Sequence, residues 1–568
     1  MLLIHASSDS LARYSRYLAE ILRLEGYADF VEADLADVDA AGLTHHDLVI
    51  LPRLAPSHAQ AELLQRYVQQ GGCLIAFTPE MHLARRLGLA PRHTAIVGGY
   101  LQVDAGQPAV QGLHPAPVQV VVPAMAWTPS QDADVTVLAQ VTAAPGCGDA
   151  IPGVVHARLG QGQAILFAYD LPHAVARLRQ GNPDNAEYSF AGLDGIYRPS
   201  ELFVGQMAVE QMRVPQADVH TALLARAVDT LAPRPRLWYY PHAGQRSTVI
   251  MTSDDDWSTV EQFEALLAGL RARQGHCTFF VVPGTHLTRE LMDAWEQEGH
   301  TFSVHPALES DTVRMGDIVE PQRVQVAAML RKNVARHRHQ FGRSVRTIRQ
   351  HAVRWLGYVD AARHLVDLGV EMESNYISVH PFSLGYMAGS GRPLPFVNTD
   401  GALIPCYQQP SLWTEEVLIH PEFVFSFKWT VARALAETGE IIGQAARDFY
   451  TPITFNSHPV SFATYSSPLI EGCWDAALAE GMPIVSADEW LAWTQARRSV
   501  QLDVNARGFT VYAPQPLAAL TVLSPRPVEA AAGYRTSQQM LWGRPVTAVT
   551  LTNLAAGERR IVRCAPTM

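Results

Sequence analysis

From residue 1 to about residue 190 the chain alternates short apolar runs with longer segments in which apolar residues recur every three to four positions. Apolar runs at Leu2–His5, Leu48–Leu51 and Cys73–Phe77 are separated by helical patterns near residues 11–25 and 60–70. That alternation predicts a parallel sheet covered by helices, an α/β unit. Further strand-like runs lie at 118–122, 135–141 and 164–169, and no segment repeats another. The stretch 213–246, with Pro215, Pro233, Pro235 and Pro241 around a helical pattern at 219–231, breaks the alternation and predicts a linker. Strand and helix patterns then alternate again over 247–498. Past residue 498 short strand-like runs at 500–504, 509–512, 520–523, 546–551 and 560–564 predict a small C-terminal β-sandwich. The expected division is 1–212, a linker at 213–246, a unit at 247–498 and a β unit at 499–568.

A chain of 568 residues is too long for one hydrophobic core, which agrees with three units. With 44 basic against 55 acidic residues the formal charge is −11, and this argues against the basic surface on which nucleic-acid binding rests. Only two residues are lysine, Lys332 and Lys428, and neither follows a glycine loop, so phosphate-loop and Schiff-base chemistry are excluded. Six cysteines form no CxxC pair and indicate neither a zinc knuckle nor a disulfide scaffold. No run of 18 apolar residues and no signal-peptide core stand out, so the expectation is a cytoplasmic chain with no membrane span.

The chemically informative segment starts at residue 248, where an apolar run ends abruptly in Asp254-Asp255-Asp256 before Trp257. Carboxylates crowded at a strand's C-terminal end repel one another unless they share a proton or a cation, so a metal site is favoured over a plain acidic turn. Two further strand patterns follow at 276–284 and 298–305, the second ending in His305.

In order and spacing, Thr252-Ser253-Asp254-Asp255-Asp256, Cys277-Thr278-Phe279-Phe280-Val281 and the segment from Gly299 to His305 resemble the polysaccharide deacetylases of the NodB-homology family, carbohydrate esterase family four. Thr347-Ile348-Arg349-Gln350-His351 and the segment 453–459, with His458, occupy the places of that family's later motifs. The resemblance covers roughly residues 247–498 and implies a distorted (β/α) deacetylase barrel. The first unit resembles a flavodoxin-like, class I glutamine-amidotransferase fold through 47–52, 67–75 and 160–167. Its elbow position reads Thr78-Pro79-Glu80 with no thiol, so the unit is expected to be noncatalytic and Cys73 structural.

By the deacetylase resemblance Asp255 and His305 bind a divalent metal, zinc suiting such an N/O set. Asp254 is then the general base, His458 the acid that protonates the leaving group, and Arg349 the residue that holds Asp254 ionised. The third metal ligand is open between Glu309, in the slot of the family's second His, and His351, which would restore an Asp and two His set. Asp256 stands where the family has Gly. Trp257, Trp355, Asn375 and Tyr376, and Tyr386 with them, are candidates either for a sugar groove, since aromatic faces stack on carbohydrate, or for core packing, and the aromatic run 423–429 reads as barrel core. His300, His276, His337 and His339 read as structural or solvated. The implied function is metal-dependent removal of an acetyl group from an amino sugar or related carbohydrate. The alternatives are an inactive carbohydrate-binding scaffold and an amidohydrolase acting on a nonsugar amide.

Overall fold

The computed structural model describes residues 1–6, 9–187, 196–308, 323–379 and 381–565, the side chains of 323–325 apart. Its first sheet runs Val31–Asp34, Leu2–His5, Leu48–Leu51, Cys73–Phe77, Gly162–Phe167, Ile151–Leu159, Asp134–Thr142, Gly99–Val103, Val118–Val120. The first five strands are parallel, as the strand and helix alternation predicts. The remaining four extend the sheet in antiparallel fashion. The change comes at Gly160 and Gln161, a two-residue connection between Ile151–Leu159 and Gly162–Phe167 whose first residue has φ +62°. Glycine adopts that conformation freely, so the chain doubles back there instead of crossing over through a helix.

The stretch 213–246 is not a linker. Residues Gln216–Leu231 form a helix buried along most of its length, packed on the strands Cys73–Phe77, Gly162–Phe167 and Val118–Val120. Arg236–Leu237 then joins Leu517–Ser524 as an edge strand of a C-terminal sheet. The prolines flank the helix instead of disrupting it, and Val219, Leu223, Leu224, Val228 and Leu231 supply the apolar surface that keeps it inside.

The second large sheet is a curled half barrel. Its order is Leu394–Val397, Leu403–Gln408, Met372–Glu373, Thr347–Ile348, Thr301–Val304, Thr278–Val281, Val249–Asp254, Ile453–Ser457, Trp413–Thr414, with Ile484–Ser486 also beside Val249–Asp254. All neighbours are parallel except the first pair. The C-terminal unit has one antiparallel sheet of Gln501–Asn505, Gly508–Ala513 and Glu558–Arg563, and a second containing Leu517–Ser524, Tyr534–Leu541 and Arg544–Leu554. Leu502, Val511, Val522, Val549, Leu551 and Val562 from both form one core.

Glu25 ties the units together. Its fully buried carboxylate accepts hydrogen bonds from Thr221 Oγ1 at 2.7 Å, Tyr239 OH at 2.5 Å, Arg392 Nη1 at 3.0 Å and Arg236 Nη1 at 3.3 Å. A carboxylate stripped of water is tolerated only with such a set of partners, and these come from the former linker stretch and the barrel. Among the described residues no helix is long and apolar enough to cross a membrane.

Candidate active site

Because the strands of the half barrel are parallel, their carboxyl ends share one rim, and residues far apart in sequence meet there. Asp254 ends the central strand. His305 follows Thr301–Val304, Arg349 and His351 follow Thr347–Ile348, and His458 follows Ile453–Ser457. Asp254, Asp256, His305, His351 and His458 line a single cleft of about 990 Å³ counting its open mouth. Glu309 lies outside the described residues.

Asp254 is held on both oxygens. Asn456 Nδ2 donates to Oδ2 at 2.8 Å, and Arg349 Nη1 approaches Oδ1 at 3.3 Å. Arg349 is itself fully buried: Nε donates to Ser374 O at 2.8 Å, Nη1 to Thr252 Oγ1 at 2.8 Å and to Asn456 Oδ1, and Nη2 to Ser411 Oγ at 3.2 Å. A guanidinium fixed at every nitrogen acts as a stationary positive charge beside Asp254.

The second carboxylate in the cleft is Asp256, not Asp255. Asp255 is fully buried and turned back into the protein, where its oxygens accept from the amides of Ser258 at 3.1 Å and Val282 at 3.2 Å. Burial pushes its carboxyl up to about 6 against those hydrogen bonds. Asp256 and Trp257 have φ of +43° and +57°, and this left-handed turn swings Asp256 into the cleft. Aspartate is among the few residues other than glycine that enter the left-handed region readily. Asp256 Oδ1 lies 3.5 Å from His305 Nε2, and Oδ2 lies 3.5 Å from His458 Nε2. Burial opposes its ionisation, but His458, His305 and His351 outweigh this and hold its carboxyl far below the usual range.

His305 Nδ1 sits 2.7 Å from Arg349 O, so the ring donates to that carbonyl and turns Nε2 to the cleft. Burial lowers the affinity of His305 for a proton, while Asp254 and Asp256 raise it to a net upward shift. Buried Asp256 Oδ1 has no hydrogen bond, and with His305 Nε2 nearby it offers an oxygen and a nitrogen donor of the kind zinc takes. His351 completes the lining, its ring edge-on to His305 at 5.5 Å and to Trp257 at 5.6 Å. Among the described residues no group of three or more His, Cys, Asp or Glu side chains is gathered closely enough to hold a metal ion.

His458 has a partner that the sequence did not reveal. Glu415 Oε1 lies 2.9 Å from His458 Nδ1 and also accepts the His458 backbone N–H at 2.8 Å. Burial pushes the His458 imidazolium down, yet Glu415, Glu416 and Asp256 outweigh it and hold the ring well above the usual histidine range. Glu416, beside it on the cleft wall, is pushed up to about 7, chiefly by burial and against the pull of His458. Two glutamates opening a helix, Glu415–Ile419, carry no pattern that distinguishes them from an ordinary acidic first turn.

The expected groove residues are mostly elsewhere. Trp355 and Tyr376 pack with Phe396 in the core, and Asn375 Oδ1 accepts the Gln350 amide at 2.8 Å; all three are buried away from the cleft. Tyr386 is buried too. Trp257 is part-exposed and donates from Nε1 to Pro283 O at 3.3 Å. Phe423 and Phe425, from the run expected as core, instead form an apolar wall of the cleft with Val417, Ile377 and Val379. His337, expected on a solvated face, is buried against Phe341. In the first unit the Cys73 thiol is buried and donates to Leu231 O at 3.3 Å.

No family model matches the chain, and no curated protein matches it in sequence. Among solved structures, it is similar along its whole length to Agd3, a carbohydrate deacetylase, at 13% identity and a TM-score of 0.44, covering 98% of that chain. A protein from Mycobacterium smegmatis assigned as a polysaccharide deacetylase matches 47% of this chain and 96% of its own, at 14% identity and a TM-score of 0.36. The polysaccharide deacetylase Bc1974 from Bacillus cereus matches 42% of this chain and 91% of its own, at 12% identity and a TM-score of 0.27.

Proposed function

We propose that the protein is a metal-dependent hydrolase that removes an N- or O-acetyl group from an amino sugar or related carbohydrate. The observation that carries this reading is the single cleft in which a clamped carboxylate, Asp254, faces an aspartate and histidine pair, Asp256 and His305, and a carboxylate-tethered histidine, His458. Asp254, clamped by Arg349 and Asn456, takes a proton from the attacking water, and His458, 4.0 Å away, delivers one to the departing nitrogen or oxygen. Asp256 and His305 would hold a divalent cation, zinc by the chemistry of the donors, with the third place falling to His351 or Glu309. Such a cation supplies Lewis acidity toward the acetyl carbonyl and acidifies water near neutrality. Asp255 drops out of this ligand set because its oxygens serve backbone amides.

Metal analysis of the purified protein, together with acetate release from a panel of N- and O-acetylated sugars, tests the reading. Bound zinc, acetate release, and loss of that release on chelation are expected. A carbohydrate-binding scaffold without activity is the first competitor, and sugar binding with no metal and no acetate would establish it. Acetate release from nonsugar amides alone would establish the amidohydrolase instead.

A further inference from the structure

The cleft is not built by the barrel alone. Arg198, Ser200 and Glu201, on and beside the short helical turn Pro199–Phe203 of the first unit, line it together with the barrel residues. That turn is fixed from both sides. Asn182 N donates to Leu202 O at 2.7 Å and Asn185 Nδ2 to Val204 O at 2.9 Å within the first unit. From the barrel, Trp355 N donates to Tyr197 O at 2.9 Å, and Phe203 packs edge-on against Tyr376 at 6.2 Å. Arg198 Nε donates to Ala352 O at 3.1 Å, one residue beyond His351. The polar side of the turn is thereby presented to the cleft at a set distance from the histidines.

We propose that Glu201 and Arg198 form the sugar-recognising wall of the cleft, bonding hydroxyl or acetamido groups of an acetylated hexosamine whose less polar face lies on Phe423 and Phe425. This rests on the carbohydrate reading above and assigns its specificity to the first unit. A carboxylate only accepts and a guanidinium only donates, so together they match hydroxyl groups, which do both. Phe423, Phe425 and Val417, which also line the cleft, offer the apolar surface on which sugar C–H groups pack.

The test uses the full chain and the variants E201Q, E201A and F425A, with N-acetylhexosamine oligosaccharides as probe. Calorimetric affinity is read beside thermal midpoint and beside hydrolysis of 4-nitrophenyl acetate, which carries the acetyl group without the sugar. The proposal expects each variant to lose roughly 10-fold or more in oligosaccharide affinity, a larger loss than any in nitrophenyl acetate hydrolysis. Unchanged affinity in E201Q and E201A overturns it, as does an equal loss on both probes, which marks a purely structural turn. A parent protein that binds no acetylated oligosaccharide overturns it as well. Binding without acetate release sinks the deacetylase reading and leaves the sugar wall standing.

Discussion

His458 and Glu415 share a two-point contact: one carboxylate oxygen of Glu415 accepts both the His458 backbone N–H, at 2.8 Å, and its ring Nδ1, at 2.9 Å. The doubled contact fixes where the ring sits as well as which nitrogen it turns outward, leaving Nε2 toward Asp254 and Asp256. E415Q is therefore expected to lower kcat by about 10²–10⁴-fold, the usual worth of a positioned proton donor, with KM little changed. In an H458A background the same substitution is expected to add almost nothing. Additive losses in the double-mutant cycle would separate the two residues and discard the tether.

The turn at Asp256 makes opposite predictions for two adjacent aspartates. D256N is expected to lose metal affinity by roughly 10-fold or more, since even outer-shell changes cost that much, while keeping the parental fold. D255N is expected to retain metal and instead to lose about 1–3 kcal/mol of stability, because an acceptor of two buried amides is weakened. Metal titration and urea denaturation of both variants check this. Metal loss in D255N with retention in D256N would return the ligand to the residue the motif spacing names.

How far the site could be read from sequence follows from where each residue stands. Asp254 ends a parallel strand and His305, Arg349 and His458 each directly follow one, and strand ends in a parallel sheet meet on one rim by construction. Asp256 was missed because a single left-handed turn decides which of three aspartates faces the cleft, although an acid standing in a glycine's place was the available signal. Glu415 and Arg198 come from segments whose patterns are those of ordinary helical turns, and only tertiary packing brings them to the histidines. Residue type alone leaves Trp355 and Tyr376 open between groove and core, and the apolar surroundings of Phe396 and Phe203 draw them inward. The helical pattern at 219–231 is legible, but the flanking prolines read locally as a break and conceal that Gln216–Leu231 packs into the first sheet.

That inward packing separates stability from binding. W355A is expected to destabilise the chain by about 3–5 kcal/mol, as for large core aromatics, with KM for any turned-over substrate within error in the protein that remains folded. F425A, on the exposed wall, is expected to do the reverse. Thermal melts beside substrate titration settle the assignment, and a raised KM in W355A with an unshifted melt would put Trp355 back in the groove.

The last prediction concerns pH and Glu373, which is fully buried at the end of Met372–Glu373. One carboxylate oxygen accepts the Asn375 amide at 2.7 Å, and the other has no hydrogen bond. Burial pushes its carboxyl up to about 8, against that amide and the more distant Arg349 and Arg179. The folded protein thus holds a proton that the unfolded chain, with an ordinary glutamate near 4.5, has already released. Protons are bound in excess by the folded state between those two values, so stability falls as pH rises through the window and levels off above about 8. The loss has a ceiling of roughly 5 kcal/mol, reached only if the full shift operates. E373Q keeps the shape and removes the charge, so urea midpoints of parent and variant should nearly coincide at pH 5 and diverge by pH 9, with the variant the more stable. Parallel pH profiles for the two proteins would show that Glu373 is ionised in the fold and is stabilised by the neighbouring arginines instead.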